Sequence, residues 1–157
     1  MKILVCDSGP IIHLFEIKNL QLLFNIGEIF IPSTVKMEIE KYLDSIPKEF
    51  KIVKMDEGEI PEVERIIRIG KMHRGEAEAI IIAKRINAEI LLTDDTSARM
   101  YAGLLNLEVH GSLGIVLWNY FNEFLDKKDT ERILYSFKKS SLWLSESIFQ
   151  KALSLLE

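Results

Sequence analysis

Apolar positions along the chain fall into two kinds of pattern. Short continuous runs, Ile3-Leu4-Val5-Cys6 and Ile90-Leu91-Leu92, predict strands buried on both faces, as in a parallel sheet covered by helices. Further short strands are expected at 28–31, 51–55 and 107–109. Between them, apolar residues recur at helical spacing over 11–24 with a break near Lys18, and over 34–43, 61–69, 76–87, 96–105, 113–125, 130–138 and 145–155. Strand alternating with helix defines an α/β fold around a mainly parallel sheet. Gly27, Pro32, Pro47, Gly58, Gly75 and Gly111 fall between elements, where turns belong. No linker, repeat or low-complexity tract interrupts the 157 residues, so one domain is expected over 1–157. Its core is expected at about 1–125, with 126–157 as a helical extension that docks on the domain or on a partner.

Both apolar runs end in acid, at Asp7 and at Thr93-Asp94-Asp95. In an open parallel sheet, ligands bind beyond the carboxyl ends of the strands, near the point where strand order reverses. An Asp after a strand also suits a helix cap or a turn, and that plainer role stands beside the functional one. Helical phase adds two more acids. Val35, Ile39 and Tyr42 define a buried face with Glu38 on its edge, while Glu40 points away. Ala79, Ile80, Ala83 and Ile86 share a face with Glu76, whereas Glu78 falls on the side of Arg85. Glu76 also stands at a helix N-terminus, where negative charge is favoured. Carboxylates on buried faces are costly unless paired or bound to a metal. Asp7, Glu38, Glu76 and Asp94 together form a set of hard oxygen donors that suits Mg²⁺ or Mn²⁺ and phosphodiester chemistry.

Composition narrows this reading. With 48% hydrophobic residues, a chain of this length buries a core without staples, and the single Cys6 makes no disulfide framework. The balance of 20 Lys+Arg against 24 Asp+Glu, a net charge of −4, argues against gripping nucleic acid by overall charge. It leaves room for a local basic patch, either Arg65, Arg68, Lys71 and Arg74 beside His73 or Arg99 four residues after Asp95. A solvated basic helix face explains the first group as simply. His13, His73 and His110 share no ligand spacing and read as ordinary residues. No apolar run is long enough for a secretory or membrane-spanning segment, so a cytoplasmic protein without membrane contact is expected.

Taken in order, Asp7-Ser8-Gly9-Pro10, Pro32-Ser33-Thr34-Val35 leading to Glu38, Gly75-Glu76-Ala77-Glu78-Ala79-Ile80, Leu91-Leu92-Thr93-Asp94-Asp95 with Ala98-Arg99, and His110-Gly111-Ser112-Leu113-Gly114 resemble the PIN-domain family. The resemblance is to its small prokaryotic branch, related to the toxin ribonucleases of toxin–antitoxin pairs, and covers about residues 1–125. It implies a three-layer α/β/α sandwich with extra C-terminal helices, and an acidic pocket holding Mg²⁺ or Mn²⁺. The implied activity is metal-dependent endonucleolytic hydrolysis of single-stranded RNA. Position by position it makes Asp7, Glu38, Glu76 and Asp94 the metal-binding catalytic acids. The family's Thr-x-Asp spacing points instead to Asp95, and the two stay open. Glu76 departs from the Asp common at its position. Ser8, Arg74 and Arg99 are candidate substrate contacts. An antitoxin and a homodimer are the implied partners, with residues 11–24 or the last helices as dimer surfaces. A haloacid-dehalogenase-like phosphatase needs a second Asp where Gly9 stands, and a receiver-type domain leaves Glu38 and Glu76 without a role. The remaining alternative is a non-catalytic PIN-fold module that binds RNA or a protein.

Overall fold

A computed structural model describes residues 1–157. Five strands, β1 (Lys2–Cys6), β2 (Gly27–Pro32), β3 (Phe50–Val53), β4 (Ile90–Leu92) and β5 (Glu108–His110), form one parallel sheet in the order β3-β2-β1-β4-β5. Eight α-helices connect and cover them: α1 (Ser8–Glu16), α2 (Ser33–Ile39), α3 (Ile60–Gly70), α4 (Arg74–Arg85), α5 (Thr96–Leu104), α6 (Ser112–Phe121), α7 (Lys127–Ser136) and α8 (Glu146–Ser154). Because strand side chains alternate, each run of apolar residues feeds two cores. Leu4, Cys6, Ile29, Ile31, Ile90 and Leu92 face one side and pack with α1, α2, α6, α7 and α8. Val5, Phe30 and Leu91 face the other and pack with α3, α4 and α5. The α/β fold is therefore a three-layer sandwich, as the continuous apolarity of β1 and β4 requires.

Several boundaries differ from the sequence reading, each for a local reason. The helix expected over 11–24 ends at Glu16, where Lys18 turns left-handed at φ 61°, and a 3₁₀ turn over Leu20–Asn25 follows. The helix carrying Glu38 stops at Ile39, so Tyr42 lies beyond it and is exposed rather than on its buried face. At Gly27 a Cβ would stand 2.3 Å from the Lys2 carbonyl oxygen, so only glycine lets β2 start against β1. The last two helices join the larger core through Ile133, Leu134, Phe137, Phe149, Ala152 and Leu156.

Topology places the site. From the central β1 the chain runs outward to β2 and β3, then returns to β1's other side for β4 and β5. Strand order thus reverses between β1 and β4, whose register sets Cys6 opposite Leu92. The residues that follow, Asp7 and Thr93, meet at the crevice such a reversal opens. No helix is long and apolar enough to cross a membrane.

Candidate active site

Asp7 is the centre of this crevice. It is 4% exposed. Its backbone N–H donates to the Leu92 carbonyl at 2.9 Å, which extends the β1–β4 pairing by one residue. Its Oδ1 accepts the Ser8 N–H at 2.6 Å, so it caps α1, and its Oδ2 accepts the Thr93 hydroxyl at 2.9 Å. The capping role expected of an Asp after a strand is real, but it leaves the carboxylate buried with no cation bonded to it. Burial first, then the charge of Glu76, push its pKa from 3.8 up to about 7, against the lowering bonds from Thr93 and Ser8.

Glu38 and Glu76 approach from two helices. Ser8 Oγ donates to Glu38 Oε2 at 2.7 Å and lies 3.4 Å from Asp7 Oδ1, so one hydroxyl bridges the two acids. Gly75, the second residue of α4, makes this approach possible, since a Cβ there would sit 2.7 Å from Glu38 Oε1. Glu38 therefore lies against the positive end of α4. Glu76 Oε2 accepts the His73 N–H at 2.7 Å, which caps α4. Burial, then the charges of Asp95 and Glu38, hold its pKa above the ordinary range despite that bond. Asp7, Ser8, Glu38, His73 and Glu76 line one hollow of about 340 Å³.

On the other side of Asp7 and Glu76 opens a larger cleft of about 1020 Å³, lined also by Asp94, Asp95, His13 and Arg99. The two adjacent acids behave differently. Asp94 is fully engaged: its Oδ1 accepts the Ser112 N–H at 2.7 Å, and its Oδ2 meets the Ser112 hydroxyl at 2.5 Å and His13 Nδ1 at 2.7 Å. Asp95 spends Oδ2 on capping α5, accepting the Ala98 N–H at 2.8 Å, and its charge is the one felt by Glu76. Gly111 keeps the space open, because a Cβ there would stand 2.5 Å from Asp94 Oδ1 and 2.8 Å from Arg99 Nη1.

The structure thus brings Asp7, Ser8, Glu38, Glu76, Asp94, Asp95 and Arg99 to one crevice. Arg74 is not with them, for it ion-pairs with Glu64 of α3 outside both hollows. Glu78, expected on the outer side with Arg85, is instead 3% exposed and accepts the Thr34 hydroxyl at 3.1 Å. The α4 helix is covered by α3 as well as by the sheet, so its apolar face is wider than a single stripe, and Glu78 falls within it. His13 and Ser112 are the site residues that sequence patterning misses. Cys6 lies wholly buried beneath Asp7, and burial pushes its thiol pKa up, so it takes no part.

None of Asp7, Glu38, Glu76 and Asp95 is ion-paired. Hard oxygen donors of uncompensated charge fit a divalent cation in kind. No three of the acidic, histidine or cysteine side chains converge as a ligand set, so coordination requires their side chains to rotate toward an ion. A parallel sheet that gathers unpaired carboxylates at its switch point defines a fold with an acidic ligand-binding crevice. The chain belongs to the PIN-domain family, whose profile matches residues 3–157. The match includes the C-terminal helices, beyond the residues that carry the resemblance in the sequence. No curated protein matches the chain. PIN domains are generally nucleases and typically use divalent metals.

Proposed function

We propose that this protein is a metal-dependent endoribonuclease that hydrolyses phosphodiester bonds in single-stranded RNA. The observation that carries the reading is Asp7, a carboxylate buried at the switch point beside Glu76 and Glu38 with no cation to offset it. Isolated buried charge is costly, and a site that keeps it invites a cation. Asp7 and Glu76 would hold Mg²⁺ or Mn²⁺, with Glu38 and Asp95 at its edge. When bound, such an ion activates water and offsets charge on the scissile phosphate.

The chain's own residues set the rest. Thr93 and Ser8 fix the two oxygens of Asp7, and Ser8 ties Glu38 to the same point. Ser112 and His13 lock Asp94, which shapes the floor of the larger cleft beside Gly111. Arg99, exposed on the cleft wall and paired with no carboxylate, is placed to meet a phosphate. A toxin role, an antitoxin partner, a homodimer and a cytoplasmic setting belong to the same proposal and rest on the sequence resemblance.

The test is cleavage of labelled single-stranded RNAs of varied sequence by purified protein with Mg²⁺ or Mn²⁺, against the same protein in chelator. Losing a partner of a metal ligand typically costs about 10- to 100-fold, so removing a ligand itself should cost more than about 100-fold. Asp7→Asn is expected to do so while the protein keeps its thermal transition, and Asp94→Asn to lower cleavage as well. If metal-loaded protein leaves every RNA intact, the enzyme reading fails and a non-catalytic module binding RNA or protein takes its place.

A further inference from the structure

The outer wall of the larger cleft comes from the far end of the chain. Leu142, Trp143, Leu144 and Ile148 line it opposite Asp7 and Asp94. The segment between α7 and α8 is held at both ends. On one side the Ser141 N–H and hydroxyl both donate to Glu16 Oε1 of α1, at 3.2 and 2.6 Å. On the other, Ser145 caps α8 by accepting the Ile148 N–H at 3.2 Å. Between these anchors the backbone is extended enough for side chains to alternate: Leu142 and Leu144 pack on the larger core, and Trp143 is turned outward, 81% exposed. An indole on a segment fixed at both ends, projected into a cleft that also holds Arg99, has no structural work to do there.

We infer that Trp143 is a base-stacking platform for single-stranded RNA, positioned so that the strand's phosphates meet Arg99 and the carboxylate crevice while a neighbouring base lies on the indole. Several features select this occupant. Trp143 shares a concave cleft with the acidic centre, so a ligand reaching the carboxylates must pass it. Arg99, with no acidic partner, supplies the cation a phosphate backbone requires. A flat aromatic surface accepts any base, and a base is free to lie on it only in a single strand. The remaining charge in the cleft is acidic, so stacking supplies the affinity that overall charge does not. The inference takes its substrate class from the nuclease reading.

The experiment uses the full chain in Mg²⁺ with a short, fluorescently labelled single-stranded RNA bearing phosphorothioate linkages, which resists cleavage. Trp143→Ala should weaken binding about 5- to 100-fold, and Trp143→Phe should recover most of it. Binding should quench indole emission in the wild-type protein and leave the emission of Trp143→Ala, which comes from Trp118, unchanged. Because Trp143 is exposed, both variants should melt with the wild-type protein. Equal RNA affinity in Trp143→Ala, or a duplex bound as tightly as the single strand, overturns the platform. So does a variant that turns a dimer into a monomer in sedimentation without changing RNA affinity, since the indole is then a contact between copies. RNA cleavage with Trp143-independent binding sinks the platform alone, and Trp143-dependent binding without cleavage sinks the nuclease reading alone.

Discussion

Asp7 ends β1, caps α1 and holds a proton at neutral pH, and these roles pull in different directions. Its pKa is raised from 3.8 to about 7 in the folded protein, so between those values the native state keeps a proton that the unfolded chain has lost. Stability from this group is full below the unfolded pKa and falls as pH rises through the folded one. Metal-free protein should therefore lose up to about 4 kcal/mol between pH 4 and pH 7.5, and Asp7→Asn, which still caps α1, should flatten that slope in urea titrations. Asp7, Glu38 and Glu76 were legible in the sequence because a strand end and a helical phase are local signals. Ser112 bonds an acid 18 residues away, Thr34 bonds Glu78 across 44, and His13 meets Asp94 across 81. Nothing in the neighbouring residues announces such pairings. Arg74 shows the converse, since its basic neighbourhood was visible but its Glu64 partner was not.

At the level of elements, the existence and order of strands and helices followed from apolar periodicity, while several ends did not. The reason lies in how the helices stop. Lys18, Lys71, Asn87, Asn106 and Glu123 take left-handed backbone, with φ between 52° and 63°, and no glycine does. Without the glycine that usually marks such a stop, the patterns over 11–24 and 113–125 read as longer helices than α1 and α6. Left-handed backbone costs an L-residue roughly 1–2 kcal/mol, and glycine's greater freedom in the unfolded chain returns about half of that. Lys71 is exposed and follows α3 with no ion pair. Lys71→Gly should thus raise stability by up to about 1 kcal/mol, seen as a melting temperature about 2–4 °C higher. The glycines that are present serve contact instead, as at Gly75 beside Glu38 and Gly111 beside Asp94.

Across the whole molecule, the sandwich is unequal. The side holding α1 and α6 also receives the C-terminal helices, whose stripes in the sequence left open whether they dock on the domain or on a partner. They dock on the fold itself: Phe149 is buried in the larger core, with Tyr135 edge-on at 5.1 Å and the Lys138 ammonium 4.2 Å from its ring centre. Phe149→Ala should cost about 3–5 kcal/mol in chemical denaturation, as for a central core aromatic rather than an appendage. The charge of −4 is likewise a matter of placement, since four of the acids face one another across the crevice. The tie between Glu16 and Ser141 spans 125 residues, against 86 for the bond between Asp7 and Thr93. As the chain is synthesised from its N-terminus, the carboxylate crevice can therefore assemble while the residues of its outer wall are still unmade. Closure of the cleft is the last event in the birth of the molecule.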